Sequence, residues 1–208
     1  DTAGNAAVPV TRTVTVADNT PPVITLLGDA IMTVEGGATY VDDGATALDI
    51  VDGDLTANIV ATGVVDTSTV GEYTVTYNVS DAVPNAAIAV TRTVTVVDTT
   101  RPVITLVGDA TVMVEGGGTY VEAGATALDN VAVGLTVTAS GEVNTAVVGS
   151  YVITYSVSDG YNDAEPVTRT VNVVDTTPPV ITLLGDAIMT VAGGATYVDE
   201  GATASDIV

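Results

Sequence analysis

Along residues 73–80 the apolar Tyr73, Val75, Tyr77 and Val79 alternate with Thr74, Thr76, Asn78 and Ser80. A period of two with one apolar parity predicts a strand with one face buried. Shorter runs of β-branched residues predict further strands near 23–27, 31–34, 44–48, 58–62 and 88–97, with another short one at 64–66. Gly36-Gly37, Gly44, Gly53, Gly63 and Gly71 punctuate these runs at turn-like spacing. No segment sustains a helical period. About seven short strands in fewer than about 80 residues predict an all-β fold, a β-sandwich.

The pattern repeats. DNTPPVITLLGDA at 18–30 returns as DTTRPVITLVGDA at 98–110 and DTTPPVITLLGDA at 175–187. Each copy follows a valine-rich run (TRTVTVA, TRTVTVV, TRTVNVV) and opens another. Pro21-Pro22, Pro102 and Pro178-Pro179 lack an N–H and hold φ, so they end sheet pairing and stiffen the crossing. Asp18, Asp98 and Asp175, which open the copies, lie 80 and 77 residues apart. The expected organisation is 1–17 as the C-terminal strand of a preceding repeat and 18–97 and 98–174 as two whole repeats. Residues 175–208 are then the N-terminal part of a following one. They differ from 18–51 at four of 34 positions, whereas 98–131 differ at ten. That suggests a two-domain super-repeat of 157 residues, in a longer polypeptide forming a rod-like array.

Four signatures recur within this frame: TTPPVITLLGD at the start, GATALD ahead of Asp52-Gly53-Asp54, GEYTVTY at 71–77, and the closing TRTVTVVD. Together they resemble the immunoglobulin-like repeats of bacterial surface proteins, and are similar also to hyalin-type repeats. The resemblance covers the whole chain. It implies tandem immunoglobulin-like sandwiches, extracellular or at the cell surface, of the sort that build stalks and adhesins. It also puts Tyr73 and Tyr151 at the tyrosine-corner position, where a hydroxyl bonds backbone upstream. Fold alone does not assign function.

Charge narrows the choice of partner. Asp and Glu number 26 against four cations, all arginine, for a net charge of −22, and there is no Cys or His. Nucleic acid and anionic membrane both require cationic footprints and are excluded as partners. No apolar run is long enough to span a bilayer, so no membrane insertion is expected. Disulfides and thiolate or imidazole metal sites are excluded too, which leaves hard divalent cations as the natural partner.

In an immunoglobulin-like topology the incoming linker and two loops meet at one end of the sandwich. In the first repeat that end gathers Asp18, Asp49, Asp52, Asp54 and Asp81, with Asn85 beside them. Five converging carboxylates without a lysine repel one another unless a cation intervenes, and Ca²⁺ takes six to eight such oxygens. The spacing D-x-x-D-x-D lacks the register and terminal Glu of an EF-hand. Taken singly, these are ordinary turn aspartates, whose side chains bond their own backbone. The second repeat has Ala132 for Asp52 and Gly134 for Asp54. It retains Asp98, Asp129, Asn130, Asp159 and Asp163, so a poorer site, or none, is expected there; Asp175 opens a third.

Arg12, Arg92 and Arg169 share one register within TRTVTV-like runs; rather than anion recognition, the simpler reading is a strand bulge, or a packed stem whose head meets a carboxylate. Glu35 and Glu115, beside Gly-Gly, read as turn residues. Threonine is frequent at outward strand positions and offers sites for O-linked glycans. Serine and threonine lack a His partner, Phe and Trp are absent, and no enzyme is expected. The leading reading is a structural array, a stalk or fibril stem stiffened by Ca²⁺ at its junctions. Its partners are neighbouring repeats, with lateral or end-to-end self-association into fibrils. The alternative is a carbohydrate- or ligand-binding module appended to a secreted enzyme.

Overall fold

The computed structural model describes residues 1–208 and divides into two units, Asp1–Val97 and Asp98–Val208. In the first, β1 (Val23–Leu26) pairs antiparallel with β3 (Ala45–Asp49), which pairs with the two-residue β4 (Gly53–Asp54). The second sheet has the order β2-β7-β6-β5, with β2 (Ile31–Glu35), β5 (Val60–Thr62), β6 (Gly71–Asn78) and β7 (Val90–Val97). β2 runs parallel to β7, while the β5–β6 and β6–β7 pairs are antiparallel. The inward parities of the two sheets form the core: Ile24, Ala45 and Ala47 from one face Val75 and Tyr77 from the other, with Leu55 and Val79 at the margin. This is the all-β sandwich that the alternation predicts, with the immunoglobulin-like plan that the resemblance implies.

Two details differ from the sequence expectation. Residues 64–66 form no strand, and 53–54, expected as loop, close a hairpin onto β3. Gly63 explains the first. With φ of +104° and a would-be Cβ 2.1 Å from the Thr74 carbonyl oxygen, the chain turns sharply against β6 and leaves the sheet edge. Gly53, with φ of +78°, permits the tight turn of the second.

The second unit repeats the plan. β8 (Val103–Leu106) pairs with β10 (Ala125–Leu128), and the larger sheet has the order β11-β12-β13-β9. Its strands are β9 (Thr111–Glu115), β11 (Thr138–Ser140), β12 (Gly149–Ser156) and β13 (Val167–Val174). Ile104, Ile153, Tyr155, Val157 and Ala164 make its core. The tyrosine corner is present in both repeats: Tyr73 donates to the Thr69 carbonyl at 2.8 Å and Tyr151 to that of Val147 at 2.9 Å.

The partial copies show what a strand needs. In residues 175–208, β14 (Val180–Leu183) and β15 (Ala202–Ser205) pair as β1 and β3 do. Residues 188–192, the counterpart of β2, form no strand. β2 exists by pairing with β7, and no such neighbour lies beside 188–192. Residues 1–17 carry the TRTVTV of β7, yet are exposed and form no strand, for want of the same pairing.

Each sandwich closes around an arginine. Arg92 and Arg169, on β7 and β13, are 0% and 1% exposed. Arg92 Nε donates to the Asp29 carbonyl at 2.9 Å, while Nη2 reaches the carbonyls of Leu27 and Gly44 and Nη1 pairs with Asp42. Tyr77 donates its hydroxyl to the same carboxylate at 2.5–2.6 Å and lies under the guanidinium, 5.9 Å from ring centroid to Cζ. Arg169 repeats every contact with Asp109, Val107, Gly124, Glu122 and Tyr155. A carboxylate meets the buried head, as the sequence reading expects. Its identity, Asp42 or Glu122, was not legible from the register.

Arg92→Ala leaves the Asp42 carboxylate and three carbonyls without their donor, and should destabilise the first repeat by about 3–5 kcal/mol. Arg92→Lys should recover only part, because one ammonium cannot reach all of them. Urea titration of the 208-residue chain should show one of two transitions moving; coincident, unshifted transitions would refute this.

A second expectation concerns alkali. Burial, then the hydrogen bond and charge of Glu122, push the Tyr155 hydroxyl from 10.0 up to about 12. The folded state therefore holds the phenolic proton more tightly. Its contribution is complete below pH 10 and is lost as pH rises toward 12. In Tyr155→Phe the urea midpoint of the second repeat should fall less steeply over that window than in the parent chain.

Candidate metal centre

Three chain segments converge at the end of the first sandwich where β1 begins. The linker supplies Asp18, the β3–β4 hairpin tip supplies Asp52, and the β6–β7 loop supplies Asp81. Carboxylate oxygens of these three lie within 4.8 Å of one another. In the second repeat the corresponding trio is Asp98, Asp129 and Asp159, again within 4.8 Å. The second set was expected to be poorer, yet it also gathers three carboxylates. Asp129, the counterpart of Asp49, joins the trio in the place that Asp52 has in the first repeat, although β10 has no hairpin partner like β4.

In five of these six aspartates one oxygen does turn work. Asp18 Oδ1 accepts the Thr20 N–H at 3.1 Å, and Asp98 Oδ1 that of Thr100 at 3.2 Å. Asp81 Oδ1 accepts from Val83 and Asn85 at 3.0 and 2.7 Å, and Asp159 Oδ1 from Tyr161 and Asn162 at 2.6 Å each. Asp129 Oδ2 accepts from Val131 and Ala132 at 2.9 Å each. Asp52 Oδ2 accepts the Ala82 N–H at 2.7 Å and ties the two loops together. Asn85 donates to Asp81 Oδ2 and to the Asp18 carbonyl, and Asn162 to the carbonyls of Asp98 and Thr100, so the linker is held to the loop in both repeats.

The other oxygens are what distinguish the site from ordinary turns. Asp18 Oδ2, Asp49 Oδ2, Asp129 Oδ1 and Asp159 Oδ2 are out of contact with solvent and meet no donor. Asp49 is itself only 9% exposed. Its other oxygen takes the N–H groups of Asp52 and Val51, and these hold its carboxyl below the usual aspartate range, so it is ionised at neutral pH. Buried carboxylate oxygens without a donor cost free energy, and such orphans call for a missing water or ion. The donor set is all hard oxygen, and it fits Ca²⁺ or Mg²⁺ rather than a softer metal.

Not every sequence candidate joins. Asp54 turns to the Thr56 hydroxyl and N–H, which lower its carboxyl pKa, and it lies outside the trio. Asp49 is adjacent through its hydrogen bond to Asp52, but is not among the three. Asp163 forms a bridge with Ser158. Asp175 accepts from Thr177 and joins no cluster. Asn162 was the residue missed. It matches Asn85 in role, but the second loop is one residue shorter and hides the alignment.

Comparison with known proteins agrees with this architecture. The family model described as "Bacterial surface protein, Ig-like domain" matches residues 24–96 and 104–173, one match for each sandwich. Hyalin of Lytechinus variegatus is 36% identical over 234 aligned residues, covering 100% of this chain and 42% of Hyalin's length. Among solved structures, a lipoprotein from Bacteroides thetaiotaomicron is 16% identical with a TM-score of 0.35, over 71% of this chain and 99% of that one. The CBM51-2 and INT domains of Clostridium perfringens ZmpB are 23% identical with a TM-score of 0.31, over 42% of this chain and 20% of that one. With both repeats matched by one family model, the chain belongs to the immunoglobulin-like domains of bacterial surface proteins.

Proposed function

We propose that the chain is a structural segment of an extracellular tandem array, a stalk or fibril stem in which Ca²⁺ fastens each incoming linker to the loops of its domain. The observation that carries this reading is the recurrence of one arrangement in two repeats of different loop sequence. A linker aspartate, an aspartate following the third strand of the repeat and a distal-loop aspartate come together, with buried carboxylate oxygens that lack donors. Asp18, Asp52 and Asp81, with Asp49 adjacent, would hold the ion in the first repeat; Asp98, Asp129 and Asp159 would hold it in the second. A divalent ion offsets two of the three carboxylate charges, weakens their mutual repulsion and gives the trio's orphaned oxygens a partner. Because one ligand comes from the linker, the ion resists bending of the chain where it enters the domain.

A non-catalytic role accords with the absence of His and Cys and with serines and threonines that serve turns and strand edges. The ligand-binding alternative is the weaker reading. A depression of about 470 Å³ in the second repeat is lined by small residues, valine, isoleucine, Glu122 and one tyrosine, Tyr120, whose hydroxyl is engaged with Glu122. It presents no free aromatic platform for a sugar. Surface exposure of threonine on the outer strand faces leaves O-linked glycans as further decoration of the same stalk.

Calcium in hundredfold excess over its dissociation constant should stabilise each occupied repeat by about 2.7 kcal/mol. Thermal melts of the 208-residue chain should therefore move upward in Ca²⁺ and downward in excess chelator. Asp52→Ala should remove the response of the first repeat alone, while Asp54→Ala should leave it in place. Melting midpoints indifferent to chelator would reduce the aspartates to turn residues. Small-angle scattering in Ca²⁺ should give the profile of an extended rod, and a compact globular profile would contradict the stalk reading.

A further inference from the structure

The sequence reading left Glu115 and its two glycines as a turn at the end of β9. The structure gives that turn more to do. β9 ends beside the end of β13, with Glu115 opposite Val174 and the Gly116 N–H bonded to the Val174 carbonyl at 2.7 Å. The linker thus leaves the second repeat directly past the Glu115 carboxylate. Thr176 donates its N–H and its hydroxyl to Oε1 and Oε2 at 2.8 Å each. Thr177 donates its N–H and hydroxyl to Oε1 at 3.1 and 2.9 Å. Four donors from two consecutive linker residues converge on one carboxylate. These bonds, the Thr176 N–H foremost, hold Glu115 below the usual glutamate range and keep it ionised.

The two glycines complete the surface. A Cβ on Gly116 would lie 2.7 Å from Cγ1 and 2.8 Å from Cγ2 of Val208, and one on Gly117 would lie 2.3 Å from Cγ2 of Ile207. Ile207 and Val208 stand in the third copy where Ile50 and Val51 stand in the first, beside the hairpin aspartate. At the first copy's hairpin Ile50 and Val51 are 84% and 65% exposed. Ile207 and Val208 remain 67% and 40% exposed, so the glycine turn covers only part of the dipeptide, and the valine more than the isoleucine.

From this we infer that the Glu-Gly-Gly turn closing the second strand of a repeat is the docking platform for the repeat that follows. The glutamate clamps the linker threonines, and the glycines admit the apolar tip of the follower's β3–β4 loop. The occupant for Ile50-Val51 is accordingly the Glu-Gly-Gly turn of a repeat ahead of it. The platform is separate from the carboxylate trio, and together they would grip the linker from its two ends. In the third copy Ala192 replaces the glutamate while Gly193-Gly194 remain, so a platform built there lacks its clamp. The inference rests on the tandem-array reading, but not on the ion.

The test uses the 208-residue chain in Ca²⁺ and, separately, in chelator. Having no cysteine, it can be spin-labelled through Glu142→Cys on the second repeat and Thr203→Cys on β15. Glu115→Ala should speed amide exchange at Thr176 and Thr177 about tenfold and broaden the inter-label distance distribution. Gly116→Ala should broaden it too; Gly116 lies outside the left-handed region, so alanine there probes space rather than backbone strain. Adding Val208→Ala to Gly116→Ala should narrow it again. Distributions and exchange unchanged by Glu115→Ala and Gly116→Ala would overturn the platform. Should chelator lower the melting midpoints while these variants leave the inter-label distribution unchanged, the platform fails and the ion reading stands. If the variants broaden the distribution in both buffers and the melting midpoints ignore chelator, the platform stands and the ion reading fails.

Discussion

A guanidinium with no route to water governs how each sandwich closes. Arg92 takes carbonyls on both sides of the β1–β2 turn (Leu27, Asp29), the carbonyl just ahead of β3 (Gly44) and the carboxylate of Asp42. Those groups belong to chain segments that pair in different sheets, and one side chain on β7 fixes where they meet. Breaking such a pair is costly even where its net contribution is small, because it abandons a buried charge. The benefit is one closure geometry in a small domain whose core is built mostly from valine and alanine. The second repeat keeps the device but lengthens the acid. Glu122 accepts from Tyr120 and Tyr155 as well as Arg169. With the shorter Asp42, the equivalent Tyr40 hydroxyl is buried without a hydrogen bond.

What sequence could reveal depended on whether a single strand or a meeting of strands decides the outcome. The parity of Tyr73, Val75, Tyr77 and Val79 is a property of one strand, and it emerges as the buried face of β6. The corner tyrosines are likewise local, each bonding backbone four residues upstream. The short strands depend on partners. Residues 188–192 carry nearly the sequence of β2 and form no strand, whereas Gly53-Asp54, which reads as loop, pairs with β3. The same division holds at the acidic end. That aspartates gather there follows from topology, but which of them join depends on local hydrogen bonds. Thr56 draws Asp54 away, and Ala132 leaves Asp129 to take the place Asp52 has in the first repeat. Glu115 was illegible for the same reason, since nothing in Glu-Gly-Gly announces that Thr176-Thr177 will pass beside it.

Under the proposed reading, the turn role and the cation role of these aspartates are two halves of one arrangement. A carboxylate has two oxygens, and in Asp18, Asp129 and Asp159 one oxygen accepts local N–H bonds while the other is buried without a donor. The bonded oxygen fixes the side-chain rotamer, so the other is already aimed before any ion arrives. That pre-organisation lowers the ordering cost of binding and suits a loop-borne site with few residues to commit.

The distribution of the four arginines carries the point to the scale of the chain. Arg92 and Arg169 are sealed inside with their own carboxylates, and Arg101 pairs at the surface with Glu165. Only Arg12, in the exposed leading segment, lies outside these pairs. Against 26 acidic residues the chain therefore has almost no cation of its own to place near the carboxylate trios. Charge balance at the points where linkers enter has to come from solution, and within a Debye length of about 8 Å at physiological salt monovalent ions screen such a trio only diffusely. A divalent ion held by three fixed oxygens acts at contact distance instead. Under the proposed reading, the stiffness of the array then follows the ionic composition outside the cell, while each core, closed by its own arginine, stays folded as that composition changes.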